Sequence, residues 1–234
     1  MKVLTLTVGL LSQSLVGTFA TTFPPSVIEA VGWLEAENKQ CTATLVSSHQ
    51  VLTAAHCLYD TKKRRYFHPN KIQFFAGFEA GEYRLSSFAK DYTVGVKKFP
   101  KGQFDEKLVY NDWALITLST GIGCSIEPIV LDKKAFKNQS LSTLGYGNSD
   151  QGFLSERHDC QYALPPREKT ALRLKNCDIE SGYSGGPLLR KQANKWYLVG
   201  VISAETEDSK GRKRQIAVPK IAFENKIKRP VCRR

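Results

Sequence analysis

The chain has 234 residues, of which 41% are apolar and 10% aromatic, and its formal net charge at pH 7 is +12. This length and composition predict an ordinary folded protein with one large or two small domains. The basic residues form short scattered clusters such as residues 62–65, without interleaved aromatic residues or a nucleic-acid-reading motif. They argue against a specific nucleic-acid partner and predict only weak attraction to anionic surfaces.

Residues 1–20 have the pattern of a secretory signal peptide: an early lysine, an uncharged apolar run and small residues ending at Ala20. Polar residues interrupt the run, which is too short for a membrane anchor of about 20 continuous apolar residues. No later stretch is apolar enough to span a bilayer. We therefore expect cleavage after Ala20 and a secreted or periplasmic protein, a monomer with no transmembrane segment.

Six cysteines follow this segment: Cys41, Cys57, Cys124, Cys160, Cys177 and Cys232. Export favours disulfide bonds, because secreted proteins mature in oxidising compartments. The alternative is a zinc site, but no pair has the short Cys-x-x-Cys spacing that such sites use. We expect disulfide bonds, with no metal and no cofactor.

From Phe23 onward, short apolar and β-branched segments alternate with turn residues, which predicts a β-sandwich or β-barrel. In chain order the predicted strands are TATLV (42–46), VLTAA (51–55), KIQFFAGF (71–78), WALITL (113–118), LSTLGYG (141–147), KWYLVGVIS (195–203) and RQIAVPKI (214–221). The segment from Pro219, PKIAFENKIK, predicts one C-terminal helix. The proline-containing stretch CSIEPIVLDKK is typical of a connector, so we place two β domains at residues 21–122 and 123–234.

Candidate chemistry begins with Ser184 in ESGYSGGPLL, where flanking glycines fit either a nucleophile turn or a simple bend. Three of the four histidines lie in polar or basic segments typical of solvated side chains: His49, His68 and His158. His56 ends an apolar strand in VLTAAHC and is either a base or a buried structural histidine. Asp112 opens the apolar strand of YNDWALITL, either as a strand-initiating turn residue or as a carboxylate that needs a hydrogen-bonding partner.

In combination and in this order, LTAAHC, NDWALITL and GYSGGPLL resemble the motifs of the chymotrypsin-like serine endopeptidases. The resemblance covers nearly all of the exported chain and implies an all-β fold of two Greek-key six-stranded β-barrels with a short C-terminal helix. It implies His56 as general base, Asp112 as its orienting partner and Ser184 as nucleophile, with the backbone N–H groups of Gly182 and Ser184 as oxyanion hole. An α/β-hydrolase is excluded, because no histidine follows Ser184.

The resemblance also implies which cysteines pair: Cys41 with Cys57, Cys160 with Cys177, and Cys124 with Cys232. It matches Ser203, Ala204 and Glu205 to the strand that binds the substrate backbone. Asp178 matches the aspartate with which trypsin-like members bind lysine or arginine. Cys177 directly precedes Asp178, which indicates a different loop path, so the side-chain preference stays open.

Tyr183 departs from trypsin-like members, which carry an aspartate there that pairs with a new N-terminal amine after zymogen cleavage. The chain also lacks an Ile-Val-Gly-Gly start and any basic residue between Thr21 and Glu37. With these departures, and with HDC and NCD ahead of the serine, the chain looks most similar to the glutamyl endopeptidase branch of the family. The histidine that lines the specificity pocket in that branch has no counterpart after GVIS in this sequence. The sequence predicts a secreted serine endopeptidase; the alternative is a catalytically inactive protease-fold protein that binds a partner or an anionic surface.

Overall fold

The computed structural model describes residues 22–100, 106–133, 140–162, 169–207, 213–228 and 232. The predicted signal peptide, residues 1–20, lies outside this part of the chain. Within the described residues, no helix has the length and apolar character needed to cross a membrane.

The first half of the chain folds into a closed antiparallel barrel. The strands of this half are β1 (Val31–Ala36), β2 (Lys39–Ser47), β3 (Gln50–Thr53), β4 (Tyr59–Asp60), β5 (Arg65–Tyr66), β6 (Ile72–Ala76), β7 (Leu85–Val94) and β8 (Ala114–Leu118). Strands β4 and β5 form a separate two-stranded ribbon, and the other six form the barrel. The six barrel strands pair in the order β1-β2-β3-β8-β7-β6. The helix α1 (Pro25–Ala30) precedes β1, and α2 (Glu106–Tyr110) precedes β8.

The second half forms another closed antiparallel barrel, in the strand order β10-β11-β14-β13-β12-β9. Its strands are β9 (Leu141–Gly145), β10 (Ser155–Tyr162), β11 (Leu172–Lys175), β12 (Pro187–Gln192), β13 (Lys195–Glu207) and β14 (Lys213–Pro219). The predicted fold of two six-stranded barrels is confirmed. The predicted division between residues 122 and 123 falls between the two sets of strands and stays a prediction.

The C-terminal helix takes the form of two consecutive 3-10 turns, Lys220–Ala222 and Glu224–Lys226. Phe223, between them, is fully buried and has φ −132°, which interrupts helical backbone geometry. Its ring centroid lies 6.4 Å from that of Trp113 in the first barrel. Packing of this one aromatic side chain therefore replaces the regular helix that the sequence pattern predicts.

Covalent links and a shared core join distant parts of the chain. The structure pairs Cys41 with Cys57, Cys160 with Cys177, and Cys124 with Cys232, the three pairs that the resemblance implies. The main hydrophobic cluster contains strand residues of both barrels, such as Leu45 of β2 and Leu189 and Val201 of the second barrel. The barrels therefore pack on one continuous apolar interface.

The connector between the barrels is held by backbone contacts with β13 and by a charged contact with β12. Leu131 forms a parallel bridge with Leu198, and the Asp132 N–H donates to the Leu198 carbonyl at 2.9 Å. The buried Asp132 carboxylate accepts hydrogen bonds from Nε and Nη2 of Arg190, which is also buried. Since both charges are removed from water, each depends on the other for compensation.

We expect Arg190→Met to lower the free energy of unfolding by about 3–5 kcal/mol, because it leaves the Asp132 carboxylate buried without its cationic partner. Urea denaturation with the disulfides intact measures the change. Adding Asp132→Leu should recover at least half of the loss, since an apolar pair needs no compensation. Arg84→Met, at a largely exposed side chain, is the control and should change the value by less than about 0.5 kcal/mol. An equal effect of Arg190→Met and Arg84→Met would contradict this account.

Candidate active site

The Asp112 carboxylate is buried, with 4% of the residue exposed, just ahead of β8. Its Oδ1 accepts the backbone N–H of His56 at 2.8 Å, and its Oδ2 lies 2.7 Å from His56 Nδ1. The hydroxyl of Ser203, from the second barrel, donates to Oδ2 at 2.5 Å. Three donors thus offset the cost of burying the charge.

His56 lies in a 3-10 turn, Ala55–Leu58, directly after β3, and its side chain is 28% exposed. The neighbouring Cys57 is tied to β2 through its disulfide with Cys41. Because Nδ1 donates to Asp112, a neutral ring carries its lone pair on Nε2, where it can accept a proton. The backbone and the ring are thus both oriented, and the accepting nitrogen is the one that Asp112 does not bind.

Lys39 holds His56 from another side. Its ammonium Nζ donates to the His56 backbone carbonyl at 2.8 Å. Burial lowers the pKa of Lys39, and the nearby carboxylates of Asp112 and Asp60 oppose this effect. A positive charge thus lies beside the His56 backbone, a contact that the sequence did not indicate.

The loop with Ser184 is held against β2 by Thr42. The Thr42 N–H donates to the Ser184 carbonyl at 2.9 Å, and its hydroxyl donates to the Gly182 carbonyl at 2.8 Å. Gly182 has φ +101°, and a Cβ built there would lie 2.0 Å from the Tyr146 carbonyl oxygen. Only glycine fits this close approach of two backbone segments. Thr42 thus holds the loop at residues on both sides of Tyr183, through the carbonyls of Gly182 and Ser184.

The Ser184 hydroxyl donates to the Ser203 carbonyl at 3.0 Å. No hydrogen bond joins it to His56 Nε2 within the part of the chain that the structure describes. The two residues nevertheless approach one atom: Cys57 Sγ lies 3.8 Å from the Ser184 carbonyl oxygen and 3.9 Å from His56 Nε2. The structure therefore brings Ser184, His56 and Asp112 to one place, with the hydroxyl turned toward β13.

Ser203 links the two barrels at this site. It occupies a bulge of the β13–β14 pairing, between Ile202 and Ala204. A bulge re-aims a side chain and its peptide group, and here the hydroxyl reaches Asp112 while the carbonyl reaches Ser184. The sequence indicated Ser203 only as part of the substrate strand. The polar residue that ends the apolar run LVGVIS was the available signal for the Asp112 contact.

The other predicted substrate-strand residues continue β13. Ala204 pairs with Ile216 of β14, and Glu205 with Gln215. The neighbouring β12 begins at Pro187, opposite Val201, so among the described strands the opposite edge of residues 203–205 has no partner. This edge can accept an extended peptide.

The backbone N–H groups of Gly182 and Ser184 donate no hydrogen bond within the described residues. Tyr183, between them, is fully buried, and its ring lies against Gly145, where a Cβ would be 2.6 Å from Tyr183 Cδ1. Burial raises the pKa of the Tyr183 hydroxyl well above its ordinary value. The aromatic residue is thus an internal anchor of the loop.

The remaining predicted residues lie apart from these contacts. Asp178 is exposed, and its backbone carbonyl accepts a hydrogen bond from Arg157 Nε at 2.6 Å. His68 is exposed as expected, whereas His49 and His158 are half-buried. His158 is held by Glu156 and Ser142 in hydrogen bonds of 3.1 and 3.0 Å. Cys41, His56 and Cys57 cluster closely enough to suggest metal ligands, but both sulfurs are in a disulfide and offer no thiolate.

Two closed six-stranded barrels, with histidine, aspartate and serine brought together where they meet, form the architecture of chymotrypsin-like serine proteases. The family model described as Trypsin matches residues 28–227, and the chain belongs to this family.

Curated relatives share about a quarter of their residues with the chain. CLIP domain-containing serine protease B4 of Anopheles gambiae is 26% identical over 201 residues, covering 70% of this chain and 54% of the relative. Human mannan-binding lectin serine protease 1 is 26% identical over 219 residues, covering 80% of this chain and 31% of the relative. The chain thus spans about half the length, or less, of these relatives.

Solved structures share the fold at lower identity. A Glu endopeptidase in complex with MPD superposes with a TM-score of 0.66 at 21% identity, covering 85% of this chain and 88% of that one. The thermostable serine protease AL20 from an extremophilic microorganism gives a TM-score of 0.68 at 17% identity, covering 86% and 96%. These likenesses concern the fold alone.

We expect Gly182→Ala to destabilise the protein more than Gly81→Ala, a matched control. Gly81 has φ +99° but no atom within 4 Å of a built Cβ. Each substitution should carry backbone strain of about 1–3 kcal/mol, and Gly182→Ala should add about 1–3 kcal/mol for the clash with the Tyr146 carbonyl. Free energies of unfolding from urea titration compare the two variants. Equal losses would show that the Gly182 backbone is not tightly enclosed.

Proposed function

We propose that the protein is a secreted serine endopeptidase that hydrolyses peptide bonds through an acyl-enzyme formed on Ser184. The observation that carries this proposal is the pair of hydrogen bonds between Asp112 and His56: the carboxylate binds both the backbone N–H and Nδ1. This arrangement leaves Nε2 to accept a proton beside the glycine-built loop of Ser184. Membership of the trypsin family supports peptide bonds as the substrate class.

The reaction begins with rotation of the Ser184 side chain from the Ser203 carbonyl to His56 Nε2, a change between staggered rotamers. Catalytic hydrogen bonds are often unformed before substrate binds. Ser184 Oγ then attacks the substrate carbonyl carbon while its proton passes to Nε2, and Asp112 stabilises the resulting imidazolium. Collapse of the tetrahedral intermediate breaks the C–N bond, and the imidazolium donates its proton to the leaving amine. Water then attacks the carbonyl carbon of the acyl-enzyme while its proton passes to His56 Nε2, and collapse of the second intermediate breaks the C–Oγ bond. The imidazolium returns the proton to Ser184 Oγ as the acid leaves.

The N–H groups of Gly182 and Ser184 are suited to the oxyanion of the tetrahedral intermediate. Neither group is engaged elsewhere in the described structure, and Thr42 fixes the carbonyls of the same two residues. Loss of one such donor typically costs about 3 kcal/mol of transition-state stabilisation. The loop that carries these donors is therefore held on both sides of Tyr183 before the negative charge develops.

Substrate backbone is proposed to add to the free edge of β13 at residues 203–205. When Ser184 turns toward His56, the Ser203 carbonyl becomes available to accept a substrate N–H, as β-augmentation requires. Asp178 remains the candidate for side-chain recognition by analogy with trypsin-like members. A glutamyl endopeptidase-like branch within the family stays a prediction.

Export with removal of residues 1–20 is proposed to be sufficient for activity. Three disulfides support folding in an oxidising compartment. Tyr183 holds the oxyanion loop by burial rather than by pairing with a new amine. An activation cut would therefore have no ion pair to create at this position.

Covalent labelling tests the proposed nucleophile. The chain beginning at Thr21, without further cleavage, should react with a fluorophosphonate at Ser184 and hydrolyse peptide substrates. Ser184→Ala should abolish labelling and lower kcat by on the order of 10⁴- to 10⁶-fold, whereas Ser181→Ala, at an exposed serine of the same loop, should retain both. An unlabelled, well-folded wild-type protein would favour the alternative, an inactive binding protein in which Ser184 stays bonded to Ser203.

The pH profile tests His56 as the base. With chemistry rate-limiting, kcat/KM should fall as the pH is lowered from about 8 to 5, because only a neutral imidazole accepts the serine proton. Asp112→Asn should lower kcat near neutral pH by about 10⁴-fold, since an amide donor would place the ring proton on Nε2. A flat wild-type profile over this interval would contradict the assignment.

A further inference from the structure

Arg157 contacts the loop ahead of Ser184 at two separate points. Its Nε donates to the Asp178 carbonyl at 2.6 Å, and its guanidinium carbon lies 5.2 Å from the centroid of the Tyr183 ring. Its Nη1 also donates to the Glu156 carbonyl at 3.0 Å. One planar cation therefore ties β10 to both ends of the stretch 178–183.

Strand geometry explains why these groups converge on Tyr183. Ser155 and Arg157 are two positions apart in β10, so their side chains lie on the same face of the strand. Gly145 of β9 pairs with Ser155, and it is the residue against which the Tyr183 ring packs. The ring thus occupies a slot in the β9–β10 pairing, with Arg157 facing it.

We propose that Arg157 is a positioning residue for the oxyanion hole, and that its guanidinium orders the N–H groups of Gly182 and Ser184. This inference rests on the proposed function. Tyr183 lies between these two residues, so a contact that fixes its ring also fixes their peptide groups. A cation over a desolvated aromatic ring is favourable. Because the guanidinium is planar and rigid, its hydrogen bond to the Asp178 carbonyl also fixes the position of that carbonyl relative to the Tyr183 ring.

The same contact explains how the loop can be ordered without a proteolytic cut. Trypsin-like members use a new terminal amine to hold an aspartate at the position of Tyr183. Here a cation of the chain itself approaches that position from β10, and it is present as soon as the protein folds. The loop then needs no additional charge from outside the barrel.

Hydrogen–deuterium exchange of residues 178–186 tests the ordering directly. Arg157→Gln should speed exchange of this segment by about 10-fold or more, because one cation–π contact and one charged hydrogen bond are lost. Arg84→Gln removes the same charge from a side chain that is 63% exposed in the first barrel, and should leave this segment unchanged. Exchange in β6 should be unaltered in both variants, which shows that the fold is intact.

Steady-state kinetics separate positioning from simple stability. Arg157→Gln should lower kcat by about 10- to 100-fold with KM changed by less than about 3-fold, because the oxyanion donors act on the transition state. Arg157→Lys keeps the charge over Tyr183 and should recover part of the loss. The losses from Arg157→Gln and Tyr183→Leu should be less than additive in the double variant, since each substitution removes the contact between the guanidinium and the ring.

Wild-type exchange of residues 178–186 and wild-type kcat in Arg157→Gln would overturn the inference while leaving the endopeptidase proposal in place. Equal losses of kcat in Arg157→Gln and Arg84→Gln would also overturn it, since they would indicate a general charge effect. If the wild-type protein neither hydrolyses peptides nor reacts with a fluorophosphonate, the proposed function fails. The exchange experiment still decides whether Arg157 orders the loop, because it requires no activity.

Discussion

The buried carboxylate of Asp112 is the contact on which the candidate site depends. A charge removed from water must find strong donors nearby, and Asp112 finds three: two from His56 in its own barrel and one from Ser203 in the other. The need to satisfy this charge therefore restricts how the barrels can dock. The same contacts orient the imidazole, so the requirement for stability and the geometry of the site have one physical cause.

The second constraint is the close approach of the Ser184 loop to β2. Thr42 provides both a backbone N–H and a hydroxyl, and Gly182 provides the space for a neighbouring carbonyl. Strong backbone hydrogen bonds from a rigid strand hold a loop more accurately than side-chain packing alone. Because the Cys41–Cys57 disulfide lies next to this contact, the strand, the histidine turn and the serine loop form one cross-linked unit.

Tyr183 and Arg157 illustrate how one position in a family can be stabilised in different ways. An aspartate at the centre of the loop needs a cationic partner inside the protein, whereas tyrosine needs a closed apolar slot. Gly145 creates that slot, and Arg157 contributes the charge that faces the ring. A buried aromatic ring brings much of its own stabilisation through burial. The charge then serves mainly to set the position of the loop.

The local pattern of apolar and polar residues was sufficient to predict many of the strands. Strands such as β3 and β8, whose residues are largely buried, stand out as apolar runs. In contrast, β10 reads SERHDCQY, and the sequence did not predict it as a strand. Half-buried polar side chains of this strand contact Tyr183, the backbone carbonyl of Asp178 and the neighbouring strand β9. Such contacts are specific to the assembled barrel, so no periodic pattern records them.

The sequence by itself determined the β-rich class, the order of His56, Asp112 and Ser184, and, through its resemblance to a known family, the pairing of the cysteines. Only the tertiary structure decided that Ser203 binds Asp112 and that Thr42 binds Gly182, contacts that join residues 91 and 140 positions apart. It also replaced a regular C-terminal helix with two turns around Phe223. The physical reason is that periodicity reports burial of a segment against a core, whereas hydrogen bonds between distant segments depend on how two barrels pack.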